Sequence, residues 1–234
     1  MPKQNKLIDQ QIKYYQARAN EYDEWFLRQG RYDRGSDINN RWFKEVDEVR
    51  GALRSAKPTG SILELACGTG LWTQLLILFS TKLTAVDSSK EMIALNKERV
   101  KNYQVQYHCE NIFNFKPEEK FDFILFSFWL SHVPPERFNS FWDSIRSYLN
   151  PLGRVFFIDS LHAPASAAKD HQYPEKSQTI AKRRLNNGRE YEIVKVFYDP
   201  DDLEKKLSGL GWDITVMRTK NFFLFGTGKF KQQK

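Results

Sequence analysis

Acidic or amide side chains close three apolar runs in this chain, and each is followed by small or turn-forming residues. The first run, 62–65, carries Glu64 and passes into Ala66-Cys67-Gly68-Thr69-Gly70. Glycines at such a turn let the backbone bend sharply and let a ligand approach the main chain. An acid beside them suits an amine-bearing or cationic ligand and repels a phosphate. The dinucleotide fingerprint also needs a third glycine inside the following helix, and here Thr73 stands in its place. The second run ends in Ala-Val-Asp-Ser-Ser, with Asp87 placed 17 residues after Gly70 and followed by Ser88. An acid there can accept hydrogen bonds from both hydroxyls of a ribose. The third ends in Glu110-Asn111-Ile112, where an amide suits an adenine amino group and the next apolar residue its ring face. Together these describe an adenosine with an amine-bearing tail and no phosphate.

The elements that must hold these residues follow from periodicity. Residues 5–29 carry Ile8, Ile12, Tyr15, Ala19, Tyr22 and Phe26 at three- and four-residue spacing, which predicts an amphipathic helix ended by Gly30. A second helix is expected over 39–55, with Trp42, Phe43, Val46 and Val49 on one side. Strands are then expected over 61–66, 82–87, 105–110, 121–128 and 154–160, with helices over 70–80, 89–100 and 135–149. This alternation predicts an α/β, Rossmann-like doubly wound fold. Its mostly parallel sheet has helices on both faces and ends with an antiparallel C-terminal strand. Ligands of such sheets bind at the carboxyl ends of the strands. After Ser160 the pattern breaks. A loop leads to two strand-like runs around Asn186-Asn187-Gly188, a strong hairpin signal. Asp199-Pro200-Asp201-Asp202 caps a helix, and two final strands follow, 212–219 and 221–228. The expected organisation is a helical cap over 1–57 and a core over 58–234, with an insertion over 161–198 that could act as a lid.

S-adenosylmethionine matches the ligand so described, and the chain resembles the class I S-adenosylmethionine-dependent methyltransferases of the small-molecule type. ELACGTG matches their first motif, AVDSSKEMI the second, and FDFILFSFWLSHV the fourth-strand motif with its following histidine. The resemblance spans about residues 12–160 and implies a seven-stranded sheet. It also implies a cofactor site of Glu64, Ala66, Gly68, Gly70, Asp87, Ser88, Met92, Asn111, Ile112 and Phe128. Met92 would lie beside the adenine, and Asn111 replaces the family's usual aspartate. The segment YYQARANEYDEW resembles the cap helix of many members, which implies that Tyr15 and Arg18 reach toward the methionine end. S-adenosylhomocysteine would be the product.

Bland readings stand beside each assignment. Glu64 could be a buried acid satisfied by amides, Asp87 a helix cap and Asn111 a turn residue. Tyr15 and Arg18 could be a packed aromatic and a surface charge. His132 follows the fourth strand, where the sulfonium methyl should point. A near-neutral imidazole there could take a proton from the acceptor as the catalytic base, or simply orient a loop. His162 and His171, in the variable loop, could also enter the acceptor site.

The chain of 234 residues, 41% hydrophobic and 28% charged, is long enough for one well-cored domain. No apolar run could cross a membrane, no hydrophobic leader opens the chain, and no Cys/His cluster has metal-ligand spacing. Cys67 and Cys109 fall in expected core segments as reduced thiols. A cytoplasmic enzyme, monomer or homodimer, is therefore expected. The net charge of +7 and pI near 9.3, with basic groups at 182–184 and at Lys229, Lys231 and Lys234, leave an RNA-modifying enzyme as an alternative. No appended RNA-binding module supports it. The leading expectation is methyl transfer to oxygen of a small-molecule acceptor, because the [ND]-P-P-[YF] signature of many amino-directed enzymes is missing after the fourth strand. A carboxylate acceptor would need no base and would favour cations such as Arg31, Arg34, Arg183 or Arg184. A non-catalytic cofactor-binding protein and a related decarboxylation or cyclisation on the same fold are further alternatives.

Overall fold

The computed structural model describes residues 2–102 and 104–231, so Lys234 of the basic tail lies outside the described residues. Three helices open the chain, α1 (Pro2–Arg18), α2 (Tyr22–Phe26) and α3 (Ser36–Ser55). Strand β1 (Gly60–Leu65), helix α4 (Thr73–Leu76), strand β2 (Ser80–Asp87), helix α5 (Lys90–Val100), strand β3 (Val105–Cys109) and strand β4 (Phe121–Ser127) follow. Next come helix α6 (Phe138–Tyr148), strand β5 (Leu149–Ser160), the hairpin β6 (Ile180–Arg184) and β7 (Glu190–Val194), helix α7 (Pro200–Gly209), and strands β8 (Trp212–Arg218) and β9 (Phe223–Phe230).

Seven strands form one sheet in the order β3-β2-β1-β4-β5-β9-β8. Pairing is parallel from β3 through β5, and β9 runs antiparallel to both β5 and β8. The order reverses between β1 and β4, so the crevice for a ligand opens above their carboxyl ends. The central strands are apolar on both faces, as a sheet covered on both sides requires. Leu63, Leu65, Ile124, Phe126, Val155 and Phe157 pack toward α6 and α7. The alternate residues Ile62, Phe123, Leu125, Phe156 and Ile158 pack toward α3 and α5. Glu64 falls on this second face, at a position where apolar neighbours surround an acid.

Two expected helices differ from the structure. The N-terminal one is not continuous to Gly30. It breaks after Arg18 into a 3₁₀ turn at Ala19–Glu21 and resumes as α2. Tyr15, Arg18, Tyr22 and Trp25, at three- and four-residue spacing across the break, line one cavity. The helix expected over 70–80 shrinks to α4. Its end tightens into i→i−3 bonds, Leu78 N–H to Leu75 and Phe79 N–H to Leu76, before β2 begins. Cys67 is buried, but Cys109 is exposed at the end of β3, an edge strand, rather than in the core.

The β6–β7 hairpin forms its own small sheet. Ala181, Leu185 and Ile193 pack against the wholly buried Tyr14 of α1. The first helix and the insertion thus share a small apolar core of their own. It sits at the carboxyl ends of the main strands, where Val196 N–H donates to Ser131 C=O at 2.8 Å.

Candidate active site

The turn after β1 is held from beneath. Ala66 and Gly68 both take left-handed backbone (φ +56° and +50°), and a Cβ on Gly70 would lie 2.8 Å from the Asn96 side chain. Glu64 is 1% exposed, and its Oε2 accepts from the Thr73 hydroxyl at 2.6 Å. Thr73 in turn accepts from Asn96 Nδ2 at 2.9 Å, and the same amide reaches Cys67 C=O at 3.2 Å. The threonine that breaks the dinucleotide fingerprint is therefore the clamp on the acid. Glu64 Oε1 has no hydrogen-bond partner among the described residues, and burial raises the carboxyl from 4.5 to about 8. Burial with a single hydrogen-bond donor thus favours its protonated form.

Asp87 closes β2 at the same turn. Its Oδ2 accepts from Gly68 N–H at 3.0 Å and its Oδ1 from Ser89 N–H at 2.9 Å. Burial still raises it to about 6 against those bonds. Each oxygen keeps a lone pair for a diol. A cavity opens here, lined by eight residues expected at the cofactor site: Tyr15, Ala66, Gly68, Asp87, Ser88, Met92, Ile112 and Phe128. Glu64 and Gly70 do not line it and instead support its floor. Asn111 does not line it either. Its side chain turns back to accept from Phe113 N–H at 3.0 Å, the local turn expected of this residue type. Trp129 adds a buried indole N–H without a partner among the described residues. These features fit an adenosine bearing a charged amino-acid tail.

A second cavity adjoins the first, and the two share only Tyr15, Tyr22, Phe128 and His132 as lining. Phe128 sits in left-handed backbone (φ +52°) with its ring edge-on to Trp25, centroids 4.7 Å apart. Left-handed backbone at a bulky residue is strained and is held there by the surrounding packing. Arg18 lines the second cavity only. It donates to Tyr32 Oη at 3.2 Å and lies over the rings of Tyr14, Tyr22 and Tyr32. Arg183 projects into the same space from β6, and Lys195 from the segment after β7. Lys195 Nζ donates to Ser131 Oγ at 2.8 Å and pairs with Asp159 Oδ1 at 3.4 Å, both partners buried. The hydroxyl of Tyr14, wholly buried in this wall, has no partner among the described residues.

His132 is 5% exposed and both ring nitrogens are engaged. Nδ1 lies 2.6 Å from Val194 C=O, and Nε2 lies 2.7 Å from Tyr15 Oη. Burial, then the nearby charges of Lys195, Arg183 and Arg18, hold the ring well below its usual value and keep it neutral. His171 also reaches the cavity and is lowered to about 4 by burial and the neighbouring arginines. His162 does not reach it and packs between Tyr173 and Phe197.

Of the four cations expected near an acidic acceptor, only Arg183 reaches the cavity. Arg31 pairs with Asp170 at 3.2 Å, Arg34 donates to Ala167 C=O at 2.9 Å, and Arg184 is exposed. The first two fasten the insertion instead. Tyr14, Tyr32, Asp159 and Lys195 were not among the expected residues. Asp159 and Lys195 carry the signature that singled out Glu64, a charge inside an apolar run, in FFIDS and IVKVF.

The fold and site define a nucleoside-binding α/β protein with an adjoining cation-rich cavity. A family model described as a methyltransferase domain matches residues 62–153. The solved DhpI–SAH complex is 33% identical, covers 97% of this chain and 98% of its own, and superposes with a TM-score of 0.79. The DhpI–SAM–HEP complex is 34% identical over 94% of this chain and 96% of its own, with a TM-score of 0.78. A malonyl-[acyl-carrier protein] O-methyltransferase of Bacillus cereus is 30% identical over 70% of this chain, and the matched stretch spans 64% of that relative's length. The chain belongs to the S-adenosylmethionine-dependent methyltransferases of class I fold. Among the described residues no helix is long and apolar enough to cross a membrane, and no cluster of metal-ligating side chains is present.

Proposed function

We propose that the chain methylates an oxygen of a small anionic acceptor, a carboxylate or a phosphate-like acid, bound in the second cavity. The observation that carries this is the charge of that cavity. Arg18, Arg183 and Lys195 line it, while Asp159 is the one carboxylate paired with any of them among the described residues. Both nearby histidines are held neutral. Buried charge without a counter-charge is costly, so the excess of cation calls for an anionic ligand. The unpartnered Tyr14 hydroxyl adds a donor to the same wall.

When bound, S-adenosylmethionine supplies an electrophilic methyl group on a leaving group that departs readily. Asp87 would hold the ribose diol, Met92 and Ile112 the adenine faces, and Glu64 would brace the turn beneath. Arg18 and Arg183 would fix the acid so that one oxygen faces the boundary of Tyr15, Tyr22, Phe128 and His132. An ionised oxygen needs no base, so the protein's contribution is alignment and exclusion of water. α1 and α2, which line both cavities, and the insertion, which lines the second, would supply that exclusion. The relative that is named as an O-methyltransferase of malonyl groups on a carrier protein supports the oxygen-directed reading.

The test is methyl-labelled S-adenosylmethionine with purified protein and a panel of small carboxylic acids, phosphonic and phosphoric acids, phenols, amines and total RNA. Base-labile label in the acids supports the reading. Label confined to amines or RNA refutes it, and tight cofactor binding without transfer to any acceptor favours a binding protein.

A further inference from the structure

The Tyr15–His132 pair stands where the two cavities meet, and its hydrogen bonds fix the direction of one proton. Val194 C=O can only accept, so the contact at 2.6 Å places the ring proton of His132 on Nδ1. Nε2 then carries a lone pair, and Tyr15 Oη at 2.7 Å must donate to it. The arrangement is braced further out. Gln11, 2% exposed, donates to His132 C=O at 3.2 Å and accepts from Val194 N–H at 3.1 Å. The Tyr15 oxygen is left with acceptor capacity alone, on the boundary where a methyl group must pass from one cavity to the other.

We propose that Tyr15 contacts the sulfonium methyl through its oxygen, and that His132 is a positioning residue that keeps the Tyr15 proton turned away, rather than a general base. A phenol free to rotate would offer its proton to the acceptor oxyanion and blunt it, or point that proton at the sulfonium and repel it. The His132 tautomer forbids both. In the transfer the acceptor oxyanion supplies the pair for the new C–O bond, sulfur keeps the pair of the broken C–S bond, and no proton moves. The kinetic part of this rests on the oxygen-directed reading above, whereas the binding part needs only the cofactor.

The binding part is measured by calorimetry with S-adenosylmethionine and S-adenosylhomocysteine, which differ by the charged methyl. Tyr15→Phe should weaken the sulfonium ligand about fivefold while leaving the thioether within about twofold. His132→Ala should shift the same ratio in the same direction, and His132→Gln, whose amide oxygen can accept from Tyr15, should restore it. Side-chain ¹⁵N shifts of His132 should report the Nδ1–H tautomer from pH 6 to pH 9. Equal weakening of both ligands in Tyr15→Phe, or an Nε2–H tautomer, overturns the proposal. With an acid from the panel as acceptor, kcat should be flat over the same pH range, and His132→Gln should recover most of what His132→Ala loses. A rate that titrates with the imidazole, or a glutamine variant as impaired as the alanine one, would restore the base role. If no acid is methylated, the acceptor reading fails alone, because binding and tautomer still decide this one.

Discussion

The cofactor cavity takes most of its wall from the loops that close β1, β2 and β4, each a few residues from a buried strand. The second cavity, proposed for the acceptor, draws its wall from α1, α2, the end of β5 and both arms of the insertion. In the first, the critical hydrogen bonds, such as Gly68 to Asp87 and Thr73 to Glu64, join neighbouring βα units of one sheet. In the second they span most of the chain. Gln11 reaches His132 and Val194, Trp25 donates to Ser166 C=O at 3.0 Å, and Arg28 to Ala165 C=O at 2.7 Å. A site that must hold one invariant ligand can be built into the scaffold, whereas a site for a particular acceptor is assembled from parts that vary independently of it.

The largest expected effect breaks the acceptor half while leaving the other intact. Asp159→Ala strands the buried Lys195 charge and should cost about 3 kcal/mol in urea unfolding. Adding Lys195→Met should recover most of it, and S-adenosylhomocysteine affinity of the folded protein should stay within about twofold. A comparable loss of cofactor affinity would mean that the two halves are one unit. Asp87→Ala should act in reverse, weakening both S-adenosyl ligands more than tenfold, about 1.4 kcal/mol, while the KM of an acid acceptor holds within about threefold. Arg183→Gln should raise that KM about fivefold with cofactor affinity unchanged, and an unchanged KM would remove Arg183 from acceptor binding.

The smallest effect concerns pH and sharpens the comparison. Glu64 and Asp87 are raised by burial to about 8 and about 6. The fold thus favours their protonated forms. That contribution is full below about pH 4 and is lost as pH rises through those two values. The Tm of the free protein should therefore fall by a few degrees between pH 5 and pH 8.5. Glu64→Gln should flatten the upper part of that decline, which differential scanning calorimetry would detect. If the glutamine variant follows the wild type, Glu64 carries no such penalty.

The same contrast explains what could be read in advance. The succession of strands and helices, the antiparallel end of the sheet and the place of Asp87 at the end of β2 all follow from short-range signals: apolar runs, glycine turns and an acid closing a strand. Eight of the twelve residues expected at the cofactor, some from these signals and others, such as Tyr15 and Met92, from the family resemblance, line one cavity. Arg18 was expected there on the pattern of the cap helix, yet it opens on the neighbouring cavity, because the turn after it redirects the chain. Lys195 was passed over because its partner Asp159 is 36 residues away, across the insertion. Nothing local in the sequence shows which loop cations face inward. Arg31 and Arg183 look alike there, and only the packing of α1 on the hairpin sends the second into the cavity and ties the first to Asp170.

The bonds of Gln11 are made by an uncharged amide, while the acids would be drawn in by arginine and lysine. Added salt screens the second kind of interaction and hardly touches the first. Capture of the acceptor should therefore slow as ionic strength rises, while the Gln11 bonds that join the first helix to His132 and Val194 hold. A stopped-flow trace at rising sodium chloride would read this as a falling capture rate with the architecture of the site unchanged.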